Sequence, residues 1–459
     1  MNRRDFLKIS AAGSAALGTS PLIGAPSIGK KSKPNILYIF TDQQHINTIS
    51  AFGNRWLNTP SLDFLASKST SFEESYCSNP VCGPCRGSIF TGRTPSSAGV
   101  YRNGAGIHKS VPNMGQWFRQ ESDYETFYIG KWHLPGYYTD KIPGFKTLNT
   151  GWGGQGTISD TAKSMAAEAF LNNYSGKKPF LLPVSFMQPH DVCEWLRINM
   201  KAHSELPYTV PEDQLPELPE NFKANIGEPE LLKNRRSKNE PAQGGWSERH
   251  WRYYLWSYYR QVEMVDAEIG RILNALYTSD RWKDTLVIFN SDHGEGLAHH
   301  ATVRKSTPYD ETCKIPFMAS LPGEIPEGKV NSTDLVSCLD LMPTLCDFAG
   351  IKSPEKLDGA NLRPLLQGKA APEREFVPIE IEDNLGHVIR TKDFKYVAYK
   401  ADRNEMLFDM RNDPGEKKNL ISDSRYGADI SALRKLHGQW LRDRELAPNV
   451  PEANRWNVK

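Results

Sequence analysis

Four stretches of this chain are apolar without alternation, are of strand length, and stop abruptly on polar residues. Residues 36–40 end at Thr41-Asp42-Gln43-Gln44, and residues 285–289 end at Asn290-Ser291-Asp292-His293-Gly294. Residues 180–187 end at Gln188-Pro189-His190, and residues 126–129 end at Gly130-Lys131-Trp132-His133. A strand with one wet face alternates; one that is apolar throughout is covered on both faces, as in a parallel sheet flanked by helices. Polar residues placed directly after such strands collect at the carboxyl edge of the sheet, where open α/β folds place their sites.

Three- and four-residue apolar spacing predicts helices over 61–69, 160–171 and 247–276, the last through Tyr258, Val262, Val265, Ile269, Ile272 and Leu276. Trp251 to Trp256, on the same helix, reads as core rather than as a sugar-stacking platform. Residues 207–241 hold six prolines and the basic run Lys233-Asn234-Arg235-Arg236, which predicts a long surface loop in the position of a lid. Beyond residue 360 the texture becomes alternating, with strands at 376–382, 388–390, 396–400 and 406–409 and a helix at 430–445. The expected fold class is therefore α/β: a central, mostly parallel sheet flanked by helices over 33–360, followed by a smaller α+β subdomain over 361–459.

Composition narrows the function by exclusion. With 56 basic against 54 acidic residues the net charge is +2, which gives no general affinity for nucleic acid. The first 28 residues differ from the rest: Arg3-Arg4-Asp5-Phe6-Leu7-Lys8 precedes a mild run of Ala, Gly, Ser and Leu that is broken by Pro21. This reads as a twin-arginine export signal, not a membrane span. Elsewhere no window reaches the ~18 continuous apolar residues of a spanning helix. A periplasmic or secreted protein is expected, with the export machinery as a partner and no stable membrane span.

Seven cysteines stand at 77, 82, 85, 193, 313, 338 and 346. The spacing Cys77-x4-Cys82-x2-Cys85 matches plant-type [2Fe–2S] ligation, so an iron–sulfur electron carrier is one candidate, although no fourth cysteine lies nearby. A second explanation covers more residues. Cys82-x-Pro84-x-Arg86 running into Thr91-Gly92-Arg93 resembles the signature of the formylglycine-dependent sulfatases, within the alkaline phosphatase-like superfamily. Leu407-Phe408-Asp409, Asp413-Pro414-Gly415-Glu416 and Asn419-Leu420 match that family's usual ending, so the resemblance spans nearly the whole chain after the signal. Only Cys82 has proline at +2 and arginine at +4; Cys85 stands where the family usually has serine.

The resemblance implies a sulfuric ester hydrolase with an alkaline phosphatase-like sheet. Cys82 would be converted to formylglycine by a formylglycine-generating or anaerobic sulfatase-maturating enzyme, and its hydrate would be the nucleophile. Asp42, Gln43, the modified Cys82, Asp292 and His293 match the calcium positions; a hard cation of this kind takes oxygen ligands. Gln43 replaces a carboxylate of better-known members and His293 stands where many relatives have Asn, so both exchanges lower the negative charge of the site. Arg86 matches the residue that holds hydrate and carboxylates in register. Lys131 and His133 match the sulfate-binding lysine and a neighbouring histidine that takes a proton from the hydrate. His190 matches a histidine beside the leaving-group oxygen, and Lys305 a lysine that grips sulfate and helps protonate the departing alcohol. Trp195 and Arg197, just beyond His190, are candidates for substrate contact. His299-His300 reads as pocket rim or loop rather than a zinc pair. A sulfated sugar or polysaccharide is the expected substrate. A phosphonate or phosphodiester hydrolase of the same superfamily and a non-catalytic glycan-binding protein are the alternatives.

Overall fold

Alternate residues of strand β1 (Asn35–Asp42) enter two different apolar cores. Ile36, Tyr38 and Phe40 face one, with Ile89, Phe90, Met114 and Phe118. Leu37 and Ile39 face the other, with Leu62, Leu65, Ala167, Val265, Ile269 and Ile272. This double burial is why the strand shows no alternation in sequence. The protein is known here from a computed structural model that describes residues 33–135, 141–148, 155–199, 210–223, 226–239, 245–381, 383–400 and 404–456. The signal expected over 1–28 lies outside these residues.

In chain order β1 is followed by β2 (Thr70–Phe72), β3 (Ser75–Tyr76), β4 (Glu125–Gly130), β5 (Lys146–Thr147) and β6 (Phe180–Pro189). Then come β7 (Thr285–Ser291), β8 (Phe317–Ser320), β9 (Lys329–Asn331) and β10 (Val336–Ser337). An eight-stranded sheet has the order β5-β4-β6-β1-β7-β8-β2-β9, while β3 and β10 make a two-stranded ribbon. The five strands from β5 to β7 are parallel; β8 runs antiparallel to both its neighbours. The mostly parallel sheet expected from the sequence is thus present. Helices Pro60–Ser67, Gly156–Asn173 and Glu248–Thr278 cover one face, close to the ranges their periodicity implied.

The remaining strands, β11 (Val377–Ile381), β12 (Gly386–Arg390), β13 (Phe394–Tyr399) and β14 (Met406–Asp409), form an antiparallel sheet. One face, with Val377, Ile379, Val388, Val397 and Phe408, joins the core that also holds Ile36 and Phe40. The other, with Ile389, Tyr396 and Leu407, packs on Ile430, Leu433 and Trp440 of helix Gly427–Asp443. Residues Pro34–Lys459 form a single compact unit.

One expectation fails. Part of the proline-rich stretch is not loop but helix Glu230–Asn239, which carries the basic run. Its prolines flank the helix, Pro229 immediately before it begins and Pro241 after it ends, and Leu232 is buried against the same core as Ile226. Proline at a helix start is compatible with helix, and a short apolar anchor gave the segment somewhere to dock. No helix among the described residues is long and apolar enough to cross a membrane.

Candidate active site

The parallel register of β1 with β7 pairs Thr41 with Ser291, so Asp42 and Asp292 emerge side by side at the carboxyl edge. The backbone of Gln43 turns left-handed there (φ 71°), and its N–H donates to Asp292 Oδ1 at 3.0 Å. On the other side of β1, β6 delivers His190 and β4 delivers Lys131 and His133. His133 is half-buried and also left-handed (φ 60°).

Cys82 is the first residue of helix Cys82–Thr91, every residue of which is buried. Asn103 Oδ1 accepts from Gly83 N at 2.9 Å and so satisfies one of the free amides of that helix start. One turn on, Arg86 is fully buried and organises the floor. Its Nε donates to Asp292 Oδ2 (2.8 Å), Nη2 to Asp42 Oδ2 (2.9 Å), and Nη1 to Lys131 O (2.6 Å) and Ser185 Oγ (2.8 Å). A planar fork with fixed donors suits this bridging of two carboxylates; a lysine could not reproduce it.

Around Cys82 Sγ the cations and ligand atoms converge. Lys305 Nζ lies 2.8 Å away and donates also to Gln43 Oε1 at 2.8 Å. His293 Nε2 is 3.1 Å and Asp42 Oδ1 is 3.5 Å from the sulfur, and Lys131 Nζ donates to Asp42 Oδ2 at 2.7 Å. Asp42, Cys82, Asp292 and His293 each present a ligand atom within 4.8 Å of the others. His293 Nδ1 faces Gly294 O at 2.8 Å and must be its donor, so the nitrogen that could ligate is Nε2, which faces the cluster. Two buried carboxylates, an amide oxygen and an imidazole nitrogen converging in this way fit a metal site.

The electrostatics follow from burial and from the three cations. Burial opposes charge on Asp42, but Lys131, then Arg86 and Lys305, overcome it and hold the carboxyl well below its usual range. Burial and Asp42 raise the Cys82 thiol, yet Lys305, Lys131 and His293 bring it well below the ordinary value. Burial, then Lys131 and Lys305, lower the His190 imidazole, so it is neutral at pH 7. Burial would deprotonate Lys305, but Cys82 and Asp42 keep it charged. Cations and a helix start gathered at residue 82 suit an anionic group bound beside it.

Asp42, Gln43, Cys82, Arg86, Lys131, His190, Asp292, His293 and Lys305 are thus brought together. Trp195 and Arg197 are not. Trp195 is half-buried among the rings of Trp246, Tyr253 and Tyr254, and Arg197 is exposed and paired with Glu194. Trp251, Tyr254 and Leu255 are core, as their spacing suggested. His300 is buried with Nδ1 2.8 Å from Glu311 Oε1, and His299 Nδ1 is 2.8 Å from Asn221 Oδ1.

The iron–sulfur candidate is overturned. Cys85 Sγ lies 3.6 Å from Cys338 Sγ in the apolar core, Cys77 Sγ points to Thr312 O, and only Cys82 joins the ligand cluster. Sequence reasoning also missed residues. Glu295, Cys193, Tyr254 and Tyr258 all reach Gln43 or its partners. Glu295 was within sight, three residues past Asp292; the tyrosines were hidden because they sit on the apolar stripe of their helix.

Comparison with known proteins bears on this geometry. The family described as Sulfatase matches residues 34–351, the N-sulphoglucosamine sulphohydrolase C-terminal family matches 298–442, and the TAT (twin-arginine translocation) pathway signal sequence matches 1–20. The chain is 32% identical over 445 residues to a Delta 4,5-hexuronate-2-O-sulfatase of Bacteroides thetaiotaomicron, covering 90% of this chain and 89% of that one. A 2-O GAG sulfatase of solved structure superposes with TM-score 0.80 at 28% identity, over 92% of this chain and 96% of that one. A phosphonate monoester hydrolase of Agrobacterium radiobacter shares the fold, with TM-score 0.73 at 23% identity over 89% of this chain and 96% of its own.

Proposed function

The chain belongs to the sulfatase family and hydrolyses sulfuric esters, and from that premise we propose that its substrate is a sulfated glycan, cleaved at a centre made of formylglycine-82 and calcium. Relatives that act on a hexuronate 2-O-sulfate and on GAG support the glycan. The twin-arginine signal points to export across the cytoplasmic membrane, where such polymers are met.

The observation that carries the reading is the convergence of Lys305, His293 and Asp42 on the buried Sγ of Cys82. That sulfur stands for the reacting oxygen of the converted residue. Formylglycine supplies a hydrated aldehyde as nucleophile, and calcium, held by Asp42, Gln43, Asp292 and His293, would offset the charge of the sulfate. Arg86 fixes the two carboxylates. Lys131 and Lys305 present positive charge to the sulfate oxygens, and Lys305 also carries a proton for the departing alcohol. Neutral His190 hydrogen-bonds the leaving-group oxygen, and His133, following Lys131, accepts the proton of the nucleophile. Because Cys82 is only 1% exposed and lies in a wholly buried helix, its conversion must precede folding. A formylglycine-generating or anaerobic sulfatase-maturating enzyme is therefore a partner of the unfolded chain.

Mass spectrometry of the peptide spanning residue 82, taken from the native host, is expected to show formylglycine at 82 and unmodified cysteine at 85. The same preparation is expected to release sulfate from defined sulfated oligosaccharides faster than it cleaves an aryl phosphonate. Cysteine at 82 in fully active protein would overturn the mechanism; faster phosphonate cleavage would overturn the substrate.

A further inference from the structure

We infer that Glu295 is a positioning residue that decides which end of the Gln43 amide faces the metal cluster. The inference rests on the metal reading above and goes beyond it. The two ends of an amide are nearly the same shape but chemically opposite: the oxygen can ligate a cation and the NH2 group cannot. Gln43 Oε1 faces the cluster, where Lys305 Nζ donates to it at 2.8 Å. Gln43 Nε2 faces the other way, donating to Glu295 Oε2 and lying 3.4 Å from Cys193 Sγ.

Glu295 is itself held. It is fully buried, and its other oxygen accepts from Tyr254 Oη and from the backbone N–H of Arg304. Two of its three donors, an amide N–H and a backbone N–H, can only donate, so the carboxyl group stands as acceptor to both. A reversed Gln43 would set its oxygen against Glu295 and its NH2 against the Lys305 ammonium, both repulsive in a dry site. The Arg304 bond extends the effect, because Arg304 is left-handed (φ 66°) and immediately precedes Lys305. Tyr258 Oη completes the clamp by donating to Gln43 O at 2.5 Å.

This accounts for a glutamine at 43 where a carboxylate would give calcium more charge. A carboxylate there has no N–H to offer Glu295, so the two acids could meet only by sharing a proton, which would cancel the charge the metal would gain. Donor and acceptor can be exchanged as a pair but not singly, which a double-mutant cycle detects. Gln43→Glu, Glu295→Gln and the double variant are made in the full chain, with Asp292→Asn as a control. Calcium chloride is titrated by calorimetry and by the shift it causes in thermal unfolding.

Each single exchange is expected to weaken calcium binding roughly 10–100-fold, the usual cost of losing an outer partner of a metal ligand. The double variant is expected to return to within about 3-fold of the wild type, because amide and carboxylate have traded places. Gln43→Glu binding calcium as well as the wild type, or a double variant weaker than Glu295→Gln, would overturn the role of Glu295. If Gln43→Glu does not fold, the comparison of Glu295→Gln with the double variant still decides. Asp292→Asn binding like the wild type would overturn the metal reading itself. Loss in Asp292→Asn with retention in Gln43→Glu would remove Glu295 alone.

Discussion

A lysine in a sequence most often means a solvated charge, yet Lys131 is buried and donates to Asp42 at 2.7 Å, and Lys305 touches both Gln43 and Cys82. Burying an ammonium is costly unless anions offset it, and in the function proposed above the sulfate of the substrate is the further anion that both would meet. If each lysine meets charge that redistributes in the transition state, its removal lowers kcat and does not merely raise KM. Lys131→Ala and Lys305→Ala are each expected to lose on the order of 10²–10³ in kcat. The two should differ in leaving-group dependence. Lys305→Ala should hurt a sugar sulfate more than a nitrophenyl sulfate, since a basic leaving oxygen needs its proton most; Lys131→Ala should hurt both alike. Near-normal kcat on a sugar sulfate for both variants would return these residues to the solvated class.

At the scale of elements, strand ends do the positioning, and the junctions are built to close tolerances. Gly130 joins β4 to Lys131 with φ 95°, and a Cβ there would stand 1.9 Å from Ser185 O of β6. Gly130→Ala is therefore expected to destabilise the fold by at least about 2 kcal/mol, from the left-handed backbone and the clash together. A urea midpoint unchanged from the wild type would show that the strand end can yield. The same scale explains what was legible in the sequence. Strands β1, β4, β6 and β7 were readable because burial on two faces removes alternation, and their polar endings marked Asp42, Lys131, His190 and Asp292 by position alone. Cys82, Arg86 and Lys305 were readable only through a family motif, since nothing local separates them from ordinary residues. Glu295, Cys193, Tyr254 and Tyr258 were not readable, because their meaning lies in contacts with Gln43 and its neighbours some 150 to 250 residues distant. Helix Glu230–Asn239 was missed for the same reason: proline content described its flanks, and the docking of Leu232 lay elsewhere in the chain.

At the scale of the whole molecule, the C-terminal sheet serves the site by holding the loop that carries Lys305. Lys395 of β13 donates to Glu416 Oε1 at 2.7 Å and to Asp310, and Asp310 N donates to Glu416 Oε2 at 2.7 Å. The sheet is in turn fastened to its helix by a buried histidine pair. Asn384 Nδ2 donates to Asn454 O, so its Oδ1 accepts from His387 Nε2 at 2.7 Å, which leaves His387 Nδ1 as acceptor for His437 Nε2 at 3.0 Å. The ring-to-ring bond needs His387 neutral at Nδ1, while a proton on His437 would leave its Nε2–H in place but put a charge into a buried site. Burial, and secondarily Arg444, lower His437 from 6.5 to about 4, and burial lowers His387 as well. A histidine whose folded value is depressed contributes stability that is whole above pH 6.5 and is lost as the pH falls toward about 4. Over that interval the His437 contribution amounts to about 3 kcal/mol. His437→Gln keeps a donor for His387 Nδ1 but cannot take up a proton. Its urea midpoint is expected to be somewhat below the wild type at pH 7, where packing on Trp440 and Trp456 is lost, and to fall less steeply between pH 6.5 and 4. Parallel curves for the two proteins would mean that acid unfolds the molecule through its carboxylates and not through this pair.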